Sequence, residues 1–116
     1  TPSYKTIIAG SRDFCDLSLF AKEMGSLTWN IDTVIDGVAK GADLLGCLFA
    51  KAHGYNHLPF KADWDNKGNA AGILRNGEME KAAEKAIVFH KNNSSGSLDM
   101  IERMKKANKE VKVVVC

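Results

Sequence analysis

The chain has little net charge and no long apolar run, and both features narrow the kinds of partner it can have. Its 16 Lys and Arg residues nearly balance 14 Asp and Glu residues, which leaves a net charge of +2. So small a charge provides no basic stripe for a nucleic-acid backbone, and nucleic acid is not favoured as a partner. No apolar segment approaches the length of a membrane span, and no charged segment followed by an apolar one opens the chain, so we expect no membrane association.

Cysteine and histidine are too few and too scattered to indicate a metal site or a disulfide framework. The three cysteines are Cys15, Cys47 and Cys116. Their odd number and their lack of metal-type spacing indicate reduced thiols in a cytoplasmic protein. His53 and His57 are four residues apart, but Gly54 is expected to end the helix between them, so the two rings need not share a face. We therefore expect neither a metal ion nor a resident cofactor.

What the chain does have is a regular alternation of β-type and helical segments. Strands are predicted around residues 4–9, 33–35, 56–60, 86–89 and 111–115. Helices are predicted over residues 13–25, 44–52, 73–85 and 98–105, with Leu98, Ile101 and Met104 facing the core in the last. A chain of 116 residues with 45% apolar side chains is expected to form one domain. The alternation predicts an α/β fold, a Rossmann-like or flavodoxin-like three-layer sandwich around a five-stranded, mostly parallel sheet.

Small and polar residues follow the predicted strands, at the edge where parallel sheets bind ligands. The connections concerned cover residues 10–12, 37–43, 61–72 and 92–96, and the third is unusually long. In the second, Gly37 and Gly41 let a ligand approach the backbone, and the following helix start offers unpaired N–H groups. Because phosphate commonly binds at such a helix start, we expect a phosphorylated ligand at this edge.

Four sequence blocks, in order along the chain, carry a family resemblance. They read IIAGSRDF over 7–14, DGVAKGAD over 36–43, ADW with AAG and RN over 62–76, and SGS with MI over 95–101. Together they resemble the YspA-type proteins of the SLOG superfamily, also catalogued as DUF2493. The resemblance implies a Rossmann-like fold and a nucleotide or nucleotide-derived ligand. Distant relatives include the LOG phosphoribohydrolases and the DNA-processing protein DprA, and the superfamily is often tied to stress, conflict or defence signalling.

The converging connections and the four blocks together indicate the ligand-binding candidates. They are Gly10, Ser11, Arg12, Gly37, Lys40, Gly41, Asp43, Trp64, Arg75, Asn76, Ser94, Ser95, Gly96 and Ser97. Residues 94–97 combine hydroxyls with backbone N–H groups at a helix start and form the best phosphate candidate. Arg12 can bind phosphate through two N–H groups, or it can pair with Asp13 or Asp36 across the rim.

Several of these candidates keep two interpretations. Lys40 is either a point charge on phosphate or a solvated surface lysine. Asp43 either accepts a hydrogen bond from a ribose hydroxyl or is stabilised by the helix dipole in the first turn. Trp64 either stacks on a base or, as is slightly favoured, covers the edge of the core. Arg75 and Asn76 are predicted early in the third helix, beside the crevice. Arg75 is either an exposed helical arginine or, as the resemblance of the third block implies, a ligand contact together with Asn76.

These observations predict a domain that binds a phosphorylated nucleotide-derived small molecule and so senses or sequesters a nucleotide signal. The alternative is a hydrolase that cleaves an N-glycosidic bond of a nucleotide or ADP-ribose-like substrate, as LOG proteins do. The resemblance puts the LOG-type glutamate at Met100, four residues after Gly96, and a thioether cannot replace a carboxylate. Asp99 is adjacent, but one residue along a helix turns a side chain by about 100°. Binding without LOG-type turnover is therefore expected, and homo-oligomerisation is left open.

Overall fold

The computed structural model describes residues 3–10, 16–37, 42–60, 64–68, 71–90 and 95–115. The side chains at 42–44, 47, 64, 67 and 95 lie outside this description. The strands are β1 (Ser3–Gly10), β2 (Asn30–Asp36), β3 (Asn56–Pro59), β4 (Lys85–His90) and β5 (Glu110–Val115). The helices are α1 (Leu17–Gly25), α2 (Ala42–His53), α3 (Trp64–Lys67), α4 (Ala71–Ala82) and α5 (Ser95–Lys106). The predicted alternation of strands and helices is confirmed.

The five strands form one sheet in the order β3-β2-β1-β4-β5, and every neighbouring pair is parallel. The chain moves outward from β1 to β3 and then crosses back to place β4 on the other side of β1. This is the Rossmann-like order of the two that were predicted, and its direction reverses between β1 and β4. Ligands of such sheets bind outside the carboxyl ends of the strands at that reversal.

The central strands β1, β2 and β4 are buried on both faces over most of their length, which explains why they are so apolar. Ile7 and Ile8 are neighbours in β1 and point to opposite faces, yet both are fully buried. On the face of Ile8, the core is completed by α1 and α2, with Phe20 against Phe89 at 5.2 Å between ring centroids. On the face of Ile7, methionines of α4 and α5 pack against the strands. The result is the predicted three-layer sandwich.

Several predicted boundaries shift by a few residues. The third predicted helix ends at Ala82 rather than at residue 85, because Lys85 already pairs with Thr6 in the sheet. The fourth begins at Ser95, and the long polar connection contains the short helix α3. Gly54 does end α2, with a φ of 72° that suits glycine. Among the described residues, no helix combines the length and the apolarity needed to cross a membrane.

The core-facing stripe of α5 was predicted wrongly at one position. Ile101 and Met104 are buried as predicted, but Leu98 is 44% exposed. The buried side of the helix is completed instead by Ser97 and Met100. Because one residue turns a side chain by about 100°, Leu98 lies beside the stripe rather than in it.

Candidate ligand site at the carboxyl edge of the sheet

The reversal of strand order lies between two strands that are held in register at their carboxyl ends. Gly10, the last residue of β1, pairs with Phe89, and β4 ends one residue later at His90. α5, which follows β4, begins at the same edge. The edge therefore has the topology of a ligand crevice, with Gly10 on one side and a helix start on the other.

Some of the predicted site residues are described with their side chains, some in the backbone alone, and some lie outside the described residues. Ser11, Arg12, Lys40, Gly41 and Ser94 lie outside the described residues. Three others are described in the backbone alone: Asp43 in the first turn of α2, Trp64 at the start of α3 and Ser95 at the start of α5. Their ligand roles stay predictions. The remaining six candidates, which have described contacts or burial, are Gly10, Gly37, Arg75, Asn76, Gly96 and Ser97.

Arg75 joins α4 to the end of β2. Its Nη1 donates a hydrogen bond to the main-chain oxygen of Gly37, at 3.1 Å across 38 residues of sequence. Its Nε is buried and has no hydrogen-bond partner in the described part of the chain. A guanidinium carries five N–H donors in a fixed planar arrangement, so holding Gly37 leaves donor capacity for an anion. The structure thus brings the predicted site residues Arg75 and Gly37 together, through a direct hydrogen bond and not through a ligand.

Asn76, the next residue, joins α4 to the start of α5. It is only 5% exposed, and its Nδ2 donates to the Gly96 oxygen at 3.1 Å and to Asp99 Oδ2 at 3.0 Å. Since an amide nitrogen has two N–H groups, both donors of Asn76 are in use. The structure therefore connects Asn76 with Gly96 as a pair, and it gives the Asn76 side-chain nitrogen partners within the protein.

Ser97 is the third residue of α5, and its side-chain hydroxyl is buried without a described hydrogen-bond partner. The residue is 3% exposed, and its Oγ finds no hydrogen-bond partner among the described residues. Helical side chains tilt toward the N-terminus of their helix, so this hydroxyl lies toward the first turn. Apart from the adjoining residues and the backbone of α5 itself, no described atom comes within 4 Å of the place that a Cβ would take at neighbouring Gly96. A buried hydroxyl without a partner costs about 1–3 kcal/mol, which is unusual unless something binds it.

Two polar contacts near this edge were not identified from the sequence. Asp36, fully buried at the end of β2, is hydrogen-bonded to Nε2 of His57 on the neighbouring strand β3. The backbone N–H of Phe60 also donates to the Asp36 main-chain oxygen at 2.8 Å. The only sequence signal was an aspartate that ends an apolar run, which says nothing about its partner. His57 thus proves to be the partner of a buried carboxylate.

The second unidentified contact lies within α5. Asp99 accepts a hydrogen bond from Nε of Arg103 at 2.8 Å, a pair whose spacing of four residues was readable in the sequence.

Met100, at the LOG-type glutamate position, is 1% exposed and belongs to the core with Met79 and Met104. Within the described ranges, no cluster of three or more His, Cys, Asp or Glu side chains is suited to holding a metal ion.

Comparisons with known proteins identify the family. The model of the YspA, cpYpsA-related SLOG family matches residues 4–66, which span β1 to α3 and include the turns after β1 and β2. The chain belongs to this SLOG family. It is also 31% identical over 113 residues to the Gene 61 protein of Mycobacterium phage D29, an alignment that covers 89% of this chain and 90% of that protein. No solved structure matches the chain.

SLOG membership confirms the resemblance found in the sequence and is consistent with a nucleotide-related ligand. The family match ends before Arg75, Asn76 and residues 95–97. The roles of those residues are therefore inferred from the contacts described above.

Proposed function

We propose that this SLOG domain binds a phosphorylated nucleotide-derived small molecule at the carboxyl edge of its sheet. The observation that carries the proposal is a pair of buried polar atoms, Arg75 Nε and Ser97 Oγ, that lack partners among the described residues. Arg75 lies at the carboxyl end of β2 through its bond to Gly37, and Ser97 lies in the first turn of α5, which follows β4. Phosphate oxygens accept hydrogen bonds, so a phosphate at this edge would suit an N–H donor and a hydroxyl together.

The first turn of α5 provides the other half of such a site. A helix of 12 residues leaves its first N–H groups without intrahelical partners and carries partial positive charge at its start. The space beside Gly96 lets an anion approach this backbone. The helix dipole, the free N–H groups and the Ser97 hydroxyl all favour the same kind of ligand, a compact anion with several acceptor oxygens.

The rest of the ligand would extend along the neighbouring turns. We assign Gly10, Ser11 and Arg12 to the phosphate side, and Gly37, Lys40, Gly41 and Asp43 to the ribose or a second phosphate. Trp64 either stacks on the base or covers the core edge beside it. A stand-alone domain of this kind would sense or sequester a nucleotide signal in stress, conflict or defence signalling, in the cytoplasm where its cysteines stay reduced.

Hydrolysis of an N-glycosidic bond has less support from the geometry. The residue at the LOG-type glutamate position is Met100, which is buried in the core and has no proton to exchange. The nearest carboxylate, Asp99, accepts hydrogen bonds from Asn76 and Arg103. A carboxylate held by two donors inside the protein is a poor general acid or nucleophile for a sugar. We therefore propose binding without LOG-type turnover.

The proposal is tested by a ligand screen followed by one substitution. Calorimetry and thermal shift with AMP, cyclic AMP and ADP-ribose, with adenosine as the non-phosphorylated control, should yield a saturable phosphorylated binder. In Ser97→Ala, affinity for that binder should fall about twofold to tenfold, the value of one hydrogen bond. Unfolding free energy should stay equal or rise by up to about 1 kcal/mol, because the lost hydroxyl had no partner.

Ser26→Ala is the matched control. Ser26 Oγ donates to the Glu23 main-chain oxygen and accepts from Lys112 Nζ at 3.0 Å, far from the carboxyl edge. Its loss should lower stability slightly and leave ligand affinity unchanged. A screen in which only non-phosphorylated metabolites bind would refute the phosphate assignment.

A further inference from the structure

We propose that Asn76, Asp99 and Arg103 are positioning residues that orient the first turn of α5 and so set the affinity of the phosphate site. With Gly96 they form what we call the α4–α5 network. The proposal rests on the proposed function for the identity of the ligand. The orientation of the turn, however, is a property of the protein alone and can be measured without any ligand.

The network is a continuous chain of hydrogen bonds from the last turn of α5 to its first turn. Arg103 Nε donates to Asp99 Oδ2 at 2.8 Å, and Asn76 Nδ2 donates to the same oxygen at 3.0 Å. The second N–H of Asn76 reaches the Gly96 oxygen at 3.1 Å. A single carboxylate oxygen thus joins a cation of α5 to an amide of α4, and that amide holds the start of α5.

Holding the Gly96 oxygen has a consequence for the next residue. The carbonyl of Gly96 and the N–H of Ser97 belong to one planar peptide unit, so fixing the oxygen fixes the direction of the N–H. In a helix this N–H points toward the N-terminus, and in the first turn it has no intrahelical partner. The Ser97 N–H is therefore one of the donors proposed to bind phosphate. Asn76 controls the direction of this N–H because it holds the oxygen at the other end of the same peptide unit.

Asp99 and Arg103 explain why the Asn76 amide is oriented with its nitrogen toward Gly96. Turned over, the amide would present its oxygen to the Gly96 oxygen and to a carboxylate, and both contacts would be repulsive. The negative charge of Asp99 selects the orientation with nitrogen toward both acceptors, and Arg103 balances that charge. Gly77 leaves room for this arginine, since a Cβ there would lie 3.2 Å from Arg103 Nη1.

The same two helices offer a matched control at their other end. Lys109, just after α5, donates to Glu80 Oε2 of α4 at 3.1 Å and to the Glu80 main-chain oxygen. This pair is partly exposed, as Asp99 and Arg103 are. The two contacts should therefore contribute similarly to stability, about 0–1 kcal/mol each. They differ in position, because the Lys109 contact does not touch the first turn of α5.

The experiment compares Asp99→Ala, Asp99→Asn and Arg103→Gln with Lys109→Gln. Hydrogen exchange of the Asn76 side-chain amide protons, which hold the Gly96 and Asp99 oxygens, is measured by NMR without ligand. Inorganic phosphate is then titrated while the first-turn amides of α5 are followed. In Asp99→Ala we expect faster exchange of the Asn76 side-chain protons, and phosphate affinity about threefold to tenfold weaker, the value of about one hydrogen bond from a misdirected Ser97 N–H. Asp99→Asn keeps an acceptor oxygen and should be intermediate, and Lys109→Gln should match the unchanged protein in both readouts.

The possible outcomes separate this inference from the proposed function. If phosphate shifts the first-turn amides equally in all variants, and exchange of the Asn76 side-chain protons is also unchanged, the positioning role is wrong. If phosphate shifts none of these amides in the unchanged protein, the phosphate site itself is wrong. If Lys109→Gln weakens binding as much as Asp99→Ala does at similar stability, the effect belongs to helix packing in general, and the α4–α5 network has no special role.

Discussion

At the amino edge of the sheet, Lys85 and Lys112 pair with glutamates. At the carboxyl edge, by contrast, Arg75 and Asn76 hold main-chain oxygens, and two buried side-chain atoms have no described partner. Lys85 bonds Glu110 at 2.7 Å and Lys112 lies 2.9 Å from Glu23, both beside the strand starts. Lys85 also lies 4.5 Å from the centre of the Tyr4 ring, a favourable cation–π contact. These charged groups of the amino edge thus have partners within the protein, and their contacts join neighbouring strands and helices.

The carboxyl edge differs in what its polar groups contact. Arg75 reaches the oxygen of Gly37 and Asn76 that of Gly96, so both side chains hold turns of the backbone. Arg75 Nε and Ser97 Oγ are buried there without a described hydrogen-bond partner. An edge whose side chains hold the backbone in place and whose buried donors lack protein partners is suited to binding a ligand. An edge whose charged side chains are paired with each other contributes to stability instead. The two edges should therefore respond differently to substitution.

The largest expected effect is on stability, from Trp29 at the amino edge. Trp29 is buried and its Nε1 donates to Thr6 Oγ1 at 3.0 Å. Trp29→Ala should lower the unfolding free energy by about 3–5 kcal/mol through the cavity and the lost bond, as measured by urea unfolding. Trp29→Phe, which keeps most of the ring, should lose about 1–2 kcal/mol. Phosphate affinity of the folded fraction should not change in either variant, and a parallel loss of affinity would show that the edges are coupled.

The next largest effect is on binding, from Arg75 at the carboxyl edge. Arg75→Ala should weaken binding of a phosphorylated ligand by about 1.5–3 kcal/mol, since it removes a charge-assisted donor. Stability should fall by about 1 kcal/mol through the lost bond to Gly37, as urea unfolding would report. Arg75→Lys keeps the charge without the planar arrangement and should recover only part of the affinity. Unchanged binding in Arg75→Ala would restrict this arginine to the structural bond with Gly37.

A smaller effect, from His57, tests whether every contact near the carboxyl edge concerns the ligand. His57 bonds the buried Asp36 but lies on the outer strand β3, away from the reversal between β1 and β4. His57→Leu should cost about 1–3 kcal/mol of stability, because a buried carboxylate loses a donor. His57→Gln keeps an N–H donor and should recover much of it. Urea unfolding and phosphate titration together would measure both properties, and a selective loss of binding in His57→Leu would extend the proposed site toward β3.

Much of the fold could be predicted from the sequence, because the relevant signals are local. Apolar runs and helical spacing located the five described strands and four of the five described helices, and Gly54 marked the end of α2. One error was local. The buried stripe of α5 was extended to Leu98 at a spacing of three residues, which drifts by about 60° per step, so one exposed leucine was assigned to the core. Helix ends depend on where neighbouring strands begin to pair, as Lys85 shows, and that is not a local property.

The sequence by itself determined that this is an α/β SLOG protein with a parallel sheet, and it predicted ligand-binding connections after the strands. Only the tertiary structure decided the Rossmann-like strand order and the partners of the polar side chains at that edge. Arg75 meets Gly37 across 38 residues, and Asn76 meets Gly96 across 20 residues. Such pairs follow from how helices pack on the sheet and on each other, since residues far apart in the chain become neighbours only when both faces of the sheet are covered.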